Sequence, residues 1–438
     1  MVDGSEQSDP QARRRERGVL IVLGSVQFTS IIDFMLVMPL GPQLMRTLNI
    51  DAARFGLIVS AYTIAAGVAG LAATPFIDRF GRKAAFLTLF VGFLVGTLFC
   101  GLSRSYPTLL AARVLTGSFG GILGGMAMTI IGDVFPAERH GRATGALMSA
   151  FSLASVFGVP FGLAVGIRYG WQAPFLLLAA LGTVILAYAI WALPPLRGHL
   201  ALDRPRVNPF AQIWETATRP AHIPAFALIV ALMLGAFAVI PYISTYLVKN
   251  VGVSEANLPW VYVTGGVLTL VSSPVIGRLA DRYGRLRLYF ILAPASAALM
   301  FAVTILPRVP LALALMTVGF IMVANSGRMV AAMAMIIASV EPKRRGGFMS
   351  VYSSVQHVAG GLGTYLGGLI LGTAADGALT HYSWAGAVAV VATLISLPLA
   401  IRLRSVGLAS PITAGFSLAA ADAALSDQAD PLSGIEPI

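Results

Sequence analysis

Polar and apolar positions segregate along this chain into long blocks. Apolar stretches of about 20 residues or more recur, each bounded by a short cluster of charged, Gly or Pro residues. A helix needs about 20 apolar residues to cross a hydrocarbon core, and the blocks predict twelve spans. These are 19–44, 55–77, 84–103, 107–135, 143–167, 173–193, 223–248, 259–280, 288–306, 310–339, 347–373 and 382–401. They are far longer than the roughly 10-residue alternating segments of a membrane barrel, so strands are not expected. The first block follows MVDGSEQSDPQARRRERG. It exceeds the roughly 7–15-residue apolar region of a secretory signal and predicts an uncleaved first helix.

Composition sharpens this picture. Hydrophobic residues make up 57% of the 438 residues and charged residues 11%, with mean hydropathy +0.81. A soluble domain carries about 25% charged residues, so a water-facing surface of normal size cannot be built. The single cysteine, Cys100, excludes an intrachain disulfide framework and offers no zinc spacing.

Charge sets the orientation. If Arg13–Arg17 face the cytoplasm, alternate loops do too, and that side holds 22 of the 30 Lys and Arg. Six lie on the other side, and Arg113 and Arg328 lie inside spans. This bias predicts a multi-pass protein of the inner (plasma) membrane with both termini cytoplasmic. It also accounts for the net charge of +11 through an anionic inner leaflet, with no nucleic-acid partner.

The long basic, Pro-rich loop then divides the chain. Residues 1–18 form a cytoplasmic N-terminal segment, 19–193 a first six-helix bundle, 194–222 the inter-bundle loop, 223–404 a second bundle, and 405–438 a disordered cytoplasmic tail.

The two halves repeat. TPFIDRFGRK (74–83) after span 2 matches GRLADRYGRLR (277–287) after span 8. GGMAMTII (124–131) is echoed by AAMAMII (331–337), and MSAF (148–151) by MSVY (349–352). Three matches in one order, at nearly constant separation, predict a duplicated six-helix unit.

On these loops and this repeat, the sequence resembles the major facilitator superfamily, and more narrowly its twelve-span drug:proton antiporter branch of bacterial efflux permeases. The likeness covers about residues 18–404. It implies an all-α polytopic membrane protein with twelve transmembrane helices in two pseudo-symmetric six-helix bundles. Substrate sites would lie between the halves near the midplane.

In the first loop, Asp78, Arg79, Gly81, Arg82 and Lys83 carry the family pattern; in the second, Asp281, Arg282, Gly284 and Arg285 do. Gly81 and Gly284 are expected at positive φ. Asp78 and Asp281 end their helices, where the helix's own dipole does not favour them, so each needs another partner. The resemblance implies that this cluster latches the halves on the cytoplasmic side. The usual glycine four residues before the aspartate is Gly277 in the second copy but Thr74 in the first.

Span 4 carries RVLTGSFGG, similar to the family's R-x-x-x-G signature associated with proton coupling, with Thr116 in place of the usual glutamine. Span 5 carries GVPFG: Gly158, Pro160 and Gly162. Pro160 is expected to kink the helix, and the glycines to thin it at the interface between halves. This resembles the efflux members' antiporter motif, with the usual Gly-Pro split by Val159.

Asp33 sits inside GSVQFTSIIDFMLVMPL, where a charge costs roughly 2.5–3.5 kcal/mol. Burial and a nearby cation pull on a carboxyl's proton in opposite directions, so alternating exposure can load and release it. Spans 1, 4, 7 and 10 line the central cavity in the family, which makes Asp33 and Arg113 candidates to meet and to couple protons. Arg328 in span 10 has no cationic counterpart in span 4. With Asn325 and Met329 beside it, and Met333 a turn on, it is expected to face substrate in an adaptable pocket. His357 in span 11 is a further candidate at the substrate site.

The expected function is secondary active transport: proton-coupled antiport exporting a small organic compound by alternating access, with the protein as a monomer in the bilayer. A symporter or uniporter importing a sugar or metabolite is the alternative, and a receptor or anchor that has lost transport belongs to another class. No HExxH, GxSxG or Walker site appears, so neither an enzyme nor an ATP-driven pump is expected, and no cofactor or metal.

Overall fold

The computed structural model of the protein describes residues 10–77, 79–196, 209–341, 344–374 and 377–408. The first half contains α1 (Pro10–Leu36), α2 (Gly41–Leu48), α3 (Ala52–Ile77), α4 (Arg82–Leu102), α5 (Tyr106–Val134), α6 (Ala137–Leu153), α7 (Val159–Tyr169) and α8 (Ala173–Ala192). A helix within the inter-bundle loop follows, α9 (Pro209–Thr218). The second half contains α10 (Ile223–Val239), α11 (Ile243–Tyr246), α12 (Leu258–Tyr283), α13 (Arg285–Thr304), α14 (Leu311–Ala338), α15 (Arg345–Ile370) and α16 (Tyr382–Leu408).

Among the described residues, eleven helices are long and apolar enough to cross a membrane. α15 completes the predicted twelve spans at 26 residues; its Gly, Ser, Gln and His content lowers its hydropathy. Both ends of the described chain lie at the end carrying most Arg and Lys, called the basic end below.

Several spans depart from simple rods. The first block is not one helix: α1 stops at Leu36, and Pro39 and Pro42, which lack an N–H, turn the chain into α2. Span 5 is α6 and α7 joined by a π-turn over Ala154–Gly158, just before Pro160. The proline ring would clash with the carbonyl four residues back, and the wider turn relieves it. Span 7 is broken into α10, a 3₁₀ turn around Pro241, α11 and a second π-turn. Against expectation, a two-residue antiparallel ladder, β1 (Gly372–Thr373) with β2 (Leu379–Thr380), closes the α15–α16 connection. The inter-bundle loop includes α9, and α16 runs past Arg404 to Leu408; the remaining tail lies outside the described residues.

The halves meet along α3 and α15, where small residues admit backbone against backbone. A side chain at Gly67 would meet the Ser354 carbonyl at 2.8 Å, and one at Gly368 the Ala52 carbonyl at 2.9 Å. α12 meets the π-turn of span 5, with Gly266 against Val156 and Ser155.

At the end opposite the basic one, a single apolar cluster draws on both halves, from Leu36, Leu40 and Phe55 to Tyr242, Leu258 and Tyr382. Arg46 and Glu255 form an ion pair there, again between halves. Toward the basic end each half keeps its own cluster, around Phe86, Phe93 and Ile131 in the first and Leu228, Tyr289 and Ile336 in the second. The apolar core is thus continuous between halves at one end and divided at the other.

Candidate functional site

Asp33 lies one turn before the end of α1, fully buried. Its neighbours come from three other helices. Arg113 of α5 donates from Nη1 to Asp33 Oδ2 at 2.7 Å and to the Asp33 carbonyl at 3.3 Å. Thr97 of α4 donates to Asp33 Oδ1 at 3.1 Å. Tyr62 of α3 lays its ring under the guanidinium, with Arg113 Cζ 4.4 Å from the centroid.

Such short side chains reach one another because glycines bring the helices together. A side chain at Gly96 would meet the Thr116 backbone at 2.8 Å, and one at Gly117 the Tyr62 Cα at 2.8 Å. The R-x-x-x-G spacing in α5 therefore holds the arginine and the glycine that seats Tyr62 one turn apart.

Both charges of this pair are wholly out of solvent. A buried pair is weak evidence for stability, but removing one partner strands the other at a cost of about 3–5 kcal/mol. The pair is also incompletely satisfied. Arg113 Nε and Nη2 are buried without a hydrogen-bond partner, as is the Ser30 hydroxyl one turn back on α1.

Tyr62 in turn stacks on Phe34 at 5.4 Å between centroids, and Phe34 on Phe237 of α10 at 6.3 Å. This aromatic row runs from the ion pair in the first half into the second. Neither Tyr62 nor Thr97 nor the two phenylalanines is singled out by sequence patterning, since each is one more residue of an apolar span. The signal available was only that Tyr62 and Thr97 are polar within such spans.

Arg328 does not join this site. Its guanidinium turns into the second bundle, donating to Asn325 Oδ1 at 2.8 and 3.1 Å, to Thr393 at 3.2 Å and to the Met300 sulfur at 3.9 Å. These partners lie on α13, α14 and α16, so Arg328 is engaged within the second bundle, while Asn325, one turn away on the same helix, is half-buried. Met329 and Met333 are half-buried against the second bundle's core. His357 donates from Nδ1 to the Ser353 carbonyl of its own helix at 2.7 Å.

The span 5 glycines also lie elsewhere than expected. Gly158 packs on Ile32, Gly162 on Leu36 and Gly166 on Leu40, all within the first half. They seat the segment of α1 that carries Asp33, while Val156 and Ser155 make the contact between halves.

The two DRxGR loops differ from one another. Asp78 lies outside the described residues. Arg82 is buried and pairs through Nε with Asp133 Oδ2 at 3.0 Å, and its backbone N–H donates to the Leu196 carbonyl. Lys83 donates to the Ile190 carbonyl at 2.7 Å, and Arg79 lies over the Phe76 ring. In the second loop Asp281 and Arg282 are exposed, and Arg285 donates to the Ala334 carbonyl at the end of α14. Gly284 has φ +89°, as expected, whereas Gly81 has φ −59° and only precedes α4, so it does not need to be glycine for its backbone.

Comparison with known proteins sets these observations in context. The model for the Major Facilitator Superfamily matches residues 23–254 and 225–421. Among curated relatives, an uncharacterized MFS-type transporter of Bacillus subtilis (strain 168), YwfA, is 24% identical over 338 residues. That alignment covers 76% of this chain and 81% of the relative. The chloramphenicol efflux pump Rv0191 of Mycobacterium tuberculosis is 25% identical over 249 residues, 56% of this chain and 59% of the pump. Two solved structures share the fold. A bacterial homologue of the human lysosomal transporter Spinster, inward-facing and unoccupied, aligns with TM-score 0.65 and 16% identity, covering 92% of this chain and 97% of the other. The nucleoside transporter NupG aligns with TM-score 0.68 and 13% identity, covering 90% and 99%.

Proposed function

This chain belongs to the Major Facilitator Superfamily, and on that premise we propose that it is a proton-coupled antiporter exporting a small organic compound from the cytoplasm. The observation that carries the reading is the Asp33–Arg113 pair: a carboxylate and a guanidinium with no solvent exposure, two guanidinium nitrogens unpartnered, placed where helices of the first half meet. Proton binding at Asp33 releases Arg113 from its counter-charge. Substrate binding and protonation then compete for the same arrangement, which is how antiport is driven. The relatives that are efflux pumps, for chloramphenicol, support the direction and a drug-like substrate class.

The basic end is the cytoplasmic one in this reading, with both termini there, in the inner membrane and as a monomer. An apolar core joined at the far end and divided toward the basic end, where α3 and α15 still touch through Thr74 and Ser350, then supports a cytoplasm-facing state. The Arg82–Asp133 pair and Lys83 tie the first loop to α5 and to the end of α8, and Asp78 is the group by which that loop would latch the opposite half in the other state.

The test is reconstitution into liposomes with an imposed pH gradient and a screen of labelled compounds, chloramphenicol included. Counter-movement of protons and one of these compounds supports antiport. Co-directional movement, or transport indifferent to the gradient, replaces it with symport or uniport.

A further inference from the structure

The row of rings beside the ion pair has a chemistry of its own. Asp33 takes one side of the Arg113 guanidinium, through Nη1, while Nε and Nη2 find no acceptor. Besides Asp33 and the nearby Cys100 thiol, the π-face of Tyr62 lies against Arg113, 4.4 Å from Cζ. An aromatic face attracts a cation electrostatically, and more so in a desolvated site. A proton on Asp33 strengthens that hold, because the guanidinium is then no longer neutralised by the carboxylate beside it.

Tyr62 is also tightly located. It is 5% exposed, Gly117 lies against its backbone, and a side chain at Gly120 would meet its hydroxyl at 2.6 Å. Its ring stacks on Phe34, the residue after Asp33, and Phe34 in turn on Phe237 across the seam. The stacking is near-parallel throughout, with interplanar angles of 29° and 30°.

We infer that Tyr62 is a positioning residue for proton coupling. Its ring holds Arg113 when Asp33 is neutral, and through Phe34 and Phe237 it transmits the state of the ion pair to the contact between the halves. The inference rests on the proton reading of Asp33. The other titratable groups within electrostatic reach of the pair are Tyr62 itself and Cys100 of α4, whose thiol lies 3.7 Å from the Thr116 hydroxyl.

The sign follows from the geometry. Without the ring, protonating Asp33 leaves a buried guanidinium with neither counter-charge nor π-face, so the proton binds less readily. A pH-driven change between conformations then moves to lower pH.

The experiment measures the distance between the halves by electron spin resonance as a function of pH. Labels go on cysteines introduced at Met148 of α6 and Val275 of α12, both exposed, in the full-length protein in lipid nanodiscs with buried Cys100 left in place. Tyr62→Leu is expected to lower the transition midpoint by about one pH unit, a tenfold loss of proton affinity. Tyr62→Phe, which keeps the ring, is expected to match the wild type. Phe237→Leu leaves the pair intact and is expected to keep the midpoint while losing most of the distance change; it carries the test if Tyr62→Leu fails to fold. A wild type whose distance ignores pH overturns the proton reading and this inference with it. A responsive wild type with an unmoved midpoint in Tyr62→Leu, or with full amplitude in Phe237→Leu, overturns this inference alone.

Discussion

Thr74 Oγ1 lies 3.1 Å from Ser350 Oγ, a hydroxyl contact that joins the basic ends of α3 and α15 across the two halves. Thr74 stands where the family pattern has glycine, so the departure places a hydrogen bond on the seam. The same hydroxyl also donates to the Gly70 carbonyl, which fixes its rotamer. Thr74→Ala and Ser350→Ala are each expected to weaken association of these basic ends by about 0.5–1.5 kcal/mol. The double variant should cost no more than the larger single loss. Cysteine cross-linking yields across α3 and α15 measure this, and additive losses would show that the two hydroxyls act independently.

Close approach at the ion pair makes a second expectation. A methyl at Gly117 would collide with the Tyr62 backbone, which cannot rotate out of the way. Gly117→Ala should destabilise the protein by about 1–3 kcal/mol. At Gly125, on the same helix, nothing lies within 4 Å, and Gly125→Ala should be neutral or slightly stabilising. Thermal unfolding in detergent compares the two; equal stability would mean that α3 and α5 are not held this closely.

The loop helix α9 supplies a pH dependence. Glu215 is held below the ordinary glutamate value of 4.5, first by its hydrogen bond to Arg344, 2.8 Å away, and by that residue's charge. Because the docked value is depressed, the contribution to docking is full above about pH 4.5 and is lost as pH falls through the docked value. The pair is exposed, so salt should shrink the effect. Trp214, on the same helix and largely exposed, reports docking by fluorescence, and Arg344→Gln should abolish the acid transition. An unchanged transition in that variant would assign it to another group.

At the opposite end, Arg46 and Glu255 pair between halves with partial exposure, 53% and 24%. Pairs of this kind contribute about 0–1 kcal/mol, so Glu255→Gln should raise the population open at that end by no more than about fivefold. The measurement is the labelling rate of a cysteine placed at Gln43. Exchanging the two charges, Arg46→Glu with Glu255→Arg, should restore the wild-type rate, and failure to restore it would remove the pair from the closure.

The span pattern, the duplication and the two bundles were legible because apolar blocks of membrane length are a one-dimensional signal. The meeting of Asp33 with Arg113 was legible for a related reason: a buried charge needs a partner, and few were available in the spans. What stayed hidden was direction around each helix. Arg328 reads as a lone cation within a span, and no spacing in the sequence announces that Thr393 of α16 is one of its partners, with Asn325. The glycines at 158 and 162 read as an interface between halves until Ile32 and Leu36 are found against them. Tyr62 carries no pattern at all, since its importance lies in which face of α3 meets Arg113.

Asp33→Asn in liposomes with an imposed pH gradient tests the central claim most directly. Asparagine keeps the shape but cannot give up a proton, and it leaves Arg113 less compensated, so thermal stability must be read beside transport. The account predicts a folded variant, less stable than wild type, that exchanges substrate down its own gradient but cannot drive uphill export from the proton gradient. Gradient-driven export at the wild-type rate by a folded Asp33→Asn protein would contradict it.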